Sequence, residues 1–451
     1  MPGNQRFPTD RIIVFTRYPV PGQTKTRLIP MLGPAGAADL QRRLTVETRK
    51  KAAAFARTRG IGVEACYEGG TDRQMRRWLG SQVSFSPQAP GDLDLGSRMY
   101  QAFQRAFQSG CGRAVLVGTD IPRLKPDHFM QAFEALGQYD LVLGPSRDGG
   151  YWLMGLNRLV PLFQGIEWGT GQVYEQTLAL AADQGLKVRD LEILTDLDTG
   201  ENLEELLPDQ AGKGPYLSVI IPALNEETTV ERALKSALSP DAEIILVDGG
   251  SSDDTVLRAR NSGAKIVNSP RGRALQQNRG ASESRGRVLL FLHADTRLPP
   301  DYVQHIFELL MDPEVVAGAF RFRTDLDQPL MRFIEMGANL RSRYLGLPYG
   351  DQGLFFRKEV FEAENGFPQV PIAEDLLMMH RIRRMGRTGL VPAHVITSAR
   401  RWKKRGFLST TLINQVVVAG SCLGVSPEVL WRLYRVSGNR VRKKMRKKWI
   451  S

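Results

Sequence analysis

The chain has 451 residues, 42% hydrophobic and 24% charged, which suits a folded two-domain protein and excludes a disordered or fibrous one. Its formal net charge of +13 is regional: from Met379 onward there are 18 Lys and Arg against one acid, Glu428, leaving 43 basic and 47 acidic residues before it. A nucleic-acid binder needs stacking aromatics or a docking motif beside its basic patch; neither is present, so no nucleic-acid partner is expected.

The first predicted strand, Arg11 to Phe15, runs into a turn in which Gly22, Thr24, Lys25 and Arg27 suit a phosphate, although the spacing is not that of a Walker A loop. A second strand, Ala114 to Val117, delivers Gly118, Thr119, Asp120, Ile121 and Pro122. A third, Leu141 to Leu143, leads to Asp148, Gly149, Gly150 and Tyr151, where glycines permit close backbone approach. The acidic run Asp196-Leu-Asp198 follows later.

From Arg11 to Leu207 this set resembles the DUF2064 or "transferase 1" family, GT-A-like and related to nucleotidyltransferases. The resemblance implies an NTP gripped by Lys25 and Arg27, Mg²⁺ on Asp120 with Asp198 as a weaker second ligand, and substrate against Asp148, Gly149 and Gly150.

Residues 208–215 form a short polar Gly and Pro linker. Beyond it, Val219 to Ile221 is a buried strand that stops at Pro222 and opens into Asn225, Glu226 and Glu227. A second strand, Ile244 to Val247, ends at Asp248, Gly249 and Gly250, with Ser251, Ser252 and Asp253 as helix-start residues. A third, Val288 to Leu292, reaches His293, Ala294 and Asp295. Parallel strands gather such loops at one sheet edge, where ligands bind. A carboxylate at a strand end beside a diphosphate suits Mg²⁺ or Mn²⁺, because hard cations take oxygen donors shared with phosphates.

In this order the segments resemble family 2 glycosyltransferases of the GT-A fold, over Ser218 to Trp402. The resemblance implies a nucleotide-sugar donor, most often a UDP-sugar, bound by the loop of Pro222, Asn225 and Glu226 and by Asp248, Gly249 and Ser251. It also implies a metal on Asp295, and a catalytic acid pair Glu374-Asp375 with Asp375 as the base that deprotonates an acceptor hydroxyl or carboxyl in an inverting transfer. The family's DxD element stands here as His293-Ala-Asp295, and its QxxRW element as Ser398-Ala-Arg-Arg401-Trp402, whose Arg401 and Trp402 support the diphosphate or acceptor. The FLHADT and YGDQGLFF segments look most like the "transferase 2" subgroup associated with arsenosugar biosynthesis, with relatives labelled as diaponeurosporenoate-type glycosyltransferases. Neither acceptor is read from the residues themselves.

The expected architecture is therefore α/β: a nucleotidyltransferase-like GT-A domain at 1–209, a linker at 210–216, a family 2 glycosyltransferase domain at 217–405, and a helical basic extension at 406–451. In that extension an apolar run, Thr411 to Val425, is too short and polar to span a bilayer, and a tail from Arg440 to Trp449 is rich in Lys and Arg. Basic clusters with Trp beside apolar helices can hold a protein on an anionic membrane; a packed helix with a solvated tail is the alternative. Cys66, Cys111 and Cys422 show neither paired nor metal spacing, and no apolar leader precedes the first strand, so a cytoplasmic location is expected, with contact at the inner membrane face. Two other functions are open at this point: a nucleotidyltransferase joining an NTP to a phosphorylated small molecule, and a non-catalytic membrane-associated scaffold.

Overall fold

The computed structural model describes residues 10–207 and 214–434, so linker residues 208–213 and the tail at 440–449 lie outside the described residues. The chain divides into two compact units, Met1–Gly212 and Lys213–Ser451.

The first unit is built on strands β1 (Asp10–Arg17), β2 (Gly62–Glu68), β3 (Ser84–Pro87), β4 (Arg113–Val117), β5 (Leu141–Pro145), β6 (Tyr151–Leu156) and β7 (Val188–Asp190). They lie in the order β3-β2-β1-β4-β6-β5-β7. Only β6 runs antiparallel to its neighbours. The central strands are apolar on both faces, as a sheet covered on both sides requires: Ile12, Ile13, Val14, Val115 and Val117 are fully buried. The long helix α1 (Ile29–Arg57) follows β1. Cys66 and Cys111 are buried and unpaired, and burial pushes both thiols up to about 11, so neither is a ready nucleophile.

The second unit carries β8 (Leu217–Ala223), β9 (Ala242–Asp248), β10 (Lys265–Asn268), β11 (Val288–Phe291), β12 (Thr296–Arg297), β13 (Val315–Thr324), β14 (Leu354–Arg357) and β15 (Arg387–Thr397). Their order is β10-β9-β8-β11-β14-β13-β15-β12. Both sheets thus open third, second, first, fourth, and both then insert an antiparallel strand, here β14. Each has its topological switch between its first and fourth strands, the place where open α/β sheets hold ligands beyond the strand ends. Both units are mixed α/β folds.

Five helices of the second unit matter below: α2 (Arg273–Ser282), α3 (Pro329–Leu345), α4 (Glu374–Ile382), α5 (Arg400–Arg405) and α6 (Phe407–Cys422). Helix α2 lies close on β8 and β9 because residue 280 is glycine; a Cβ there would stand 2.4 Å from Ile220 and 2.8 Å from Val247. That approach lets Gln276, one turn earlier, donate to the carbonyls of both Ala223 and Val247, at 2.8 and 2.9 Å. Phe291, Phe356, Phe361 and Phe367 form an aromatic cluster, with Phe291 and Phe367 edge-on at 4.8 Å, that anchors the end of β11. Each such pair adds about 0.5–1.5 kcal/mol beyond area burial. Helix α6 packs on α3, α4 and α5 and belongs to the body of the second unit.

Candidate active site

A cavity of about 580 Å³ opens where β8 and β11 end. Its wall brings together residues scattered over 180 positions of sequence: Pro222 and Glu226 after β8, His293 and Asp295 after β11, Glu374 and Asp375 at the start of α4, and Arg401 and Trp402 on α5. Sequence reasoning named all of these, His293 only as the residue standing where the family's first Asp does.

The chemistry of the wall is set by pairing and burial. Arg400 reaches across to Glu226 at 2.5 Å and to Asp295 Oδ2 at 3.2 Å. Burial pushes the Asp295 carboxyl up, and the Arg400 guanidinium pulls it back down. Glu374 is buried and ion-paired with Arg273 at 3.3 Å; burial raises its carboxyl and Arg273 opposes the rise. Asp375 is oriented by two backbone donors, Gly350 N–H at 2.7 Å and its own neighbour Leu376 N–H at 2.8 Å. The chain reaches α4 through Ala373 in a left-handed conformation, φ 65°, an uncommon geometry for alanine that turns both acids into the cavity.

Among the described residues, three on this wall carry a buried polar atom without a hydrogen-bond partner: His293 Nε2, Asp351 Oδ1 and Trp402 Nε1. The first two lie beside Gly350, where a Cβ would stand 3.1 Å from His293 Nε2 and 3.2 Å from Asp375 Oδ2. Burial, reinforced by Arg273 and Arg401, holds the imidazole well below its ordinary range, so it is neutral at pH 7. Burial also pushes Asp351 up to about 6, against the pull of Arg401 and Arg341. Orphaned buried groups converging on one cavity are the usual mark of a ligand contact.

Asp351 is the principal residue the sequence reading missed, along with Arg271, Arg273, Gln276 and Arg400. The YGDQGLFF segment was noticed only as a likeness, and no spacing rule ties Asp351 to β8 or β11.

Asn225, Asp248, Gly249 and Ser251 do not line this cavity. Their polar groups are used to stitch the loops after β8 and β9. Asp248 accepts from Gly250 and Ser251 N–H at 3.0 and 3.1 Å, and Asn225, with φ 54°, accepts from Ser252 N–H at 2.9 Å. Trp402 touches the cavity but sits mainly in a small core with Phe322 and Met331. The far wall is apolar and aromatic, formed by Val370, Ile372, Val417, Trp431 and Tyr434. The expected extension therefore helps to build the site.

The first unit has its own hollow of about 500 Å³ at the ends of β1 and β4, lined by Lys25, Arg27, Asp120 and Asp198. The Lys25 ammonium is buried, lies 3.0 Å from Asp120 Oδ1 as an ion pair and donates to the Leu197 carbonyl at 2.6 Å, and Arg27 pairs with Asp198 at 2.5 Å. Asp148, Gly149 and Gly150 are not on this wall. Gly149 instead presses against the Gly171 carbonyl, with φ 85° and no room for a Cβ, and Asp148 caps its own turn through Gly150 N–H.

With this geometry in view, family models match both units: residues 51–170 match "Uncharacterized protein conserved in bacteria (DUF2064)", and residues 218–363 match "Glycosyl transferase family 2". Each unit thus contains a segment that matches a known family model. Glucosyl-3-phosphoglycerate synthase of Mycobacterium tuberculosis (strain H37Rv) is 35% identical over 112 residues, 21% of this chain and 33% of that protein. Probable glycosyltransferase YdaM of Bacillus subtilis (strain 168) is 27% identical over 213 residues, 41% of this chain and 49% of that protein. This chain thus spans a third to a half of the length of these curated relatives. A crystal structure from Desulfovibrio desulfuricans G20, provisionally described as a nucleotide-diphospho-sugar transferase, is 36% identical over 44% of this chain and 86% of that one, with a TM-score of 0.41.

Proposed function

We propose that the family 2 domain transfers a sugar, with inversion, from a nucleotide-diphospho-sugar to an acceptor hydroxyl or carboxylate. The observation that carries this reading is the single cavity that gathers Asp295, Asp375 and a set of guanidiniums from Arg271, Arg273, Arg400 and Arg401. Asp375 takes the acceptor proton as the acceptor oxygen attacks C1 of the sugar. The bond from C1 to the diphosphate oxygen breaks, and its electron pair leaves with the nucleoside diphosphate. Guanidiniums preorganised on the wall stabilise that developing charge. The two backbone donors on Asp375 leave lone pairs free for the proton, since a carboxylate has about four acceptor sites.

Asp351 and neutral His293 supply a further acceptor and a further hydrogen-bonding ring beside Asp375, suited to hydroxyls of the sugar or the acceptor.

Among the described residues no group of three His, Cys, Asp or Glu side chains could hold a metal ion. The donor set nonetheless fits a cation that arrives with its substrate, since Mg²⁺ is commonly held by one or two carboxylates plus phosphate oxygens. Asp295 would hold Mg²⁺ or Mn²⁺, which when bound neutralises charge on the diphosphate. Arg400 already bridges Asp295 and Glu226 and competes for the same carboxylate.

The test is thermal unfolding of the full chain with nucleoside diphosphates, UDP first, with and without Mn²⁺, since a ligand that binds only the folded state raises its apparent stability. We expect a rise in the unfolding transition of the second unit. No shift with any nucleotide, together with no release of nucleoside diphosphate from any nucleotide-sugar, overturns the reading.

A further inference from the structure

Helix α3 carries its apolar surface on the wrong side for a core helix. Met331, Glu335 and Ser342 face inward and are at most 5% exposed. Leu330, Phe333, Met336, Leu340 and Tyr344 are 46–73% exposed. At about 100° per residue these five fall within an arc of about 120°, opposite the buried face. Gly337 lies inside the same arc, with open space above it. Isolated exposed hydrophobics are ordinary, but a contiguous stripe of large ones marks an interaction face.

The neighbouring helix extends the stripe. α6 packs on α3 and exposes Leu412 and Val416. It also gives Asn414 and Val417 to the cavity wall, so face and cavity share an element.

Exposed cations border this face. Arg343 on α3 is exposed, Arg383 lies 3.5 Å from the Cβ position of Gly346 just beyond α3, and Lys403 and Lys404 are exposed on α5 before α6 begins. The acids of the same region are engaged: Asp327 and Glu335 both pair with Arg332. The chain's own tail is a poor cover for an apolar stripe, since seven of residues 440–449 are Lys or Arg. No helix among the described residues is long and apolar enough to cross a membrane.

We propose that the outer face of α3, with the adjoining surface of α6, docks this chain in the interfacial plane of an anionic lipid bilayer. Apolar side chains enter the acyl boundary, and the surrounding cations meet the headgroups. This proposal stands apart from the transfer chemistry and uses none of its residues.

Co-sedimentation of the full chain with vesicles of phosphatidylcholine, alone or mixed with phosphatidylglycerol, tests it. The wild type is expected to pellet with the mixed vesicles. Phe333→Glu with Leu340→Glu should weaken that binding about tenfold or more, because two large apolar side chains no longer leave water for the acyl boundary. Both positions are exposed, so the thermal transition should be unchanged, which separates lost docking from lost folding. Phe333→Leu, which keeps the apolar character, should bind like the wild type. Absence of wild-type binding to mixed vesicles overturns the proposal. So does full binding by the double variant, which would assign the attraction to the basic tail alone. A lipid-free dimer that the double variant splits into monomers would assign the face to a second copy of this chain, and also overturns it.

Discussion

The two units start from the same sheet order and end in opposite electrostatic states. In the first, four cations meet three acids and pair with them: Lys25 with Asp120, whose Oδ1 nonetheless accepts no hydrogen bond, Arg27 with Asp198, and Arg17 and Arg98 with Glu68. In the second, four guanidiniums face five carboxyls, and His293 Nε2 and Asp351 Oδ1 stay buried without hydrogen-bond partners. A shared topology thus fixes where loops converge. Whether the converged groups are closed on each other or held open for a ligand is decided side chain by side chain.

The largest expected effect tests the open site. Asp375→Asn should lower turnover about 10²–10⁴-fold, as loss of a general base does, while nucleotide binding measured by calorimetry persists. Lys25→Ala, in the closed site, should leave that turnover unchanged; an equal loss in both variants would erase the contrast between the units.

Next in size is the closed pair itself. Asp120→Ala strands the buried Lys25 ammonium, which should destabilise the first unit by about 2–4 kcal/mol. Urea unfolding should show the loss in one transition only, with the second unit's midpoint unmoved. Gly149→Ala should destabilise the same unit by roughly 2 kcal/mol, because φ is 85° and the new Cβ would meet the Gly171 carbonyl. Retention of wild-type stability would show that this turn yields more easily than its packing implies.

The smallest effect concerns pH. Asp351 is held at about 6 against an ordinary 3.8, so the folded state binds its proton more tightly than the unfolded state. Its contribution to stability is complete below about pH 4 and is lost as pH rises through about 6. Asp351→Asn cannot ionise and should therefore gain on the wild type across that window, by roughly 1–2 kcal/mol at pH 7. Its transfer rate should fall at the same time. A variant no more stable than the wild type at pH 7 would mean that Asp351 is already neutralised and the site less open than described.

Much of the fold was legible because strand-forming runs and their punctuation are local. β1, β4, β8, β9 and β11 lie within one or two residues of the predicted strands, since Val, Ile and Leu runs ending at Pro, Gly or Asp carry their own boundaries. Of the site, Glu226, Asp295, Glu374, Asp375 and Arg401 were named and are brought together. Asp248 was named as a donor contact, yet its carboxylate is taken up by the loop it begins, as acids at strand ends often are.

The sequence by itself determined the two α/β units, the loops at their strand ends and the acids those loops carry, because each is written in a short stretch of chain. Tertiary structure alone decided which charges meet. Arg400 closes on Glu226 from 174 positions away, Arg273 on Glu374 from 101, and Lys25 on Asp120 across the first unit's switch point. Pairing and burial depend on distance in space, and those distances exist only once the sheets have formed.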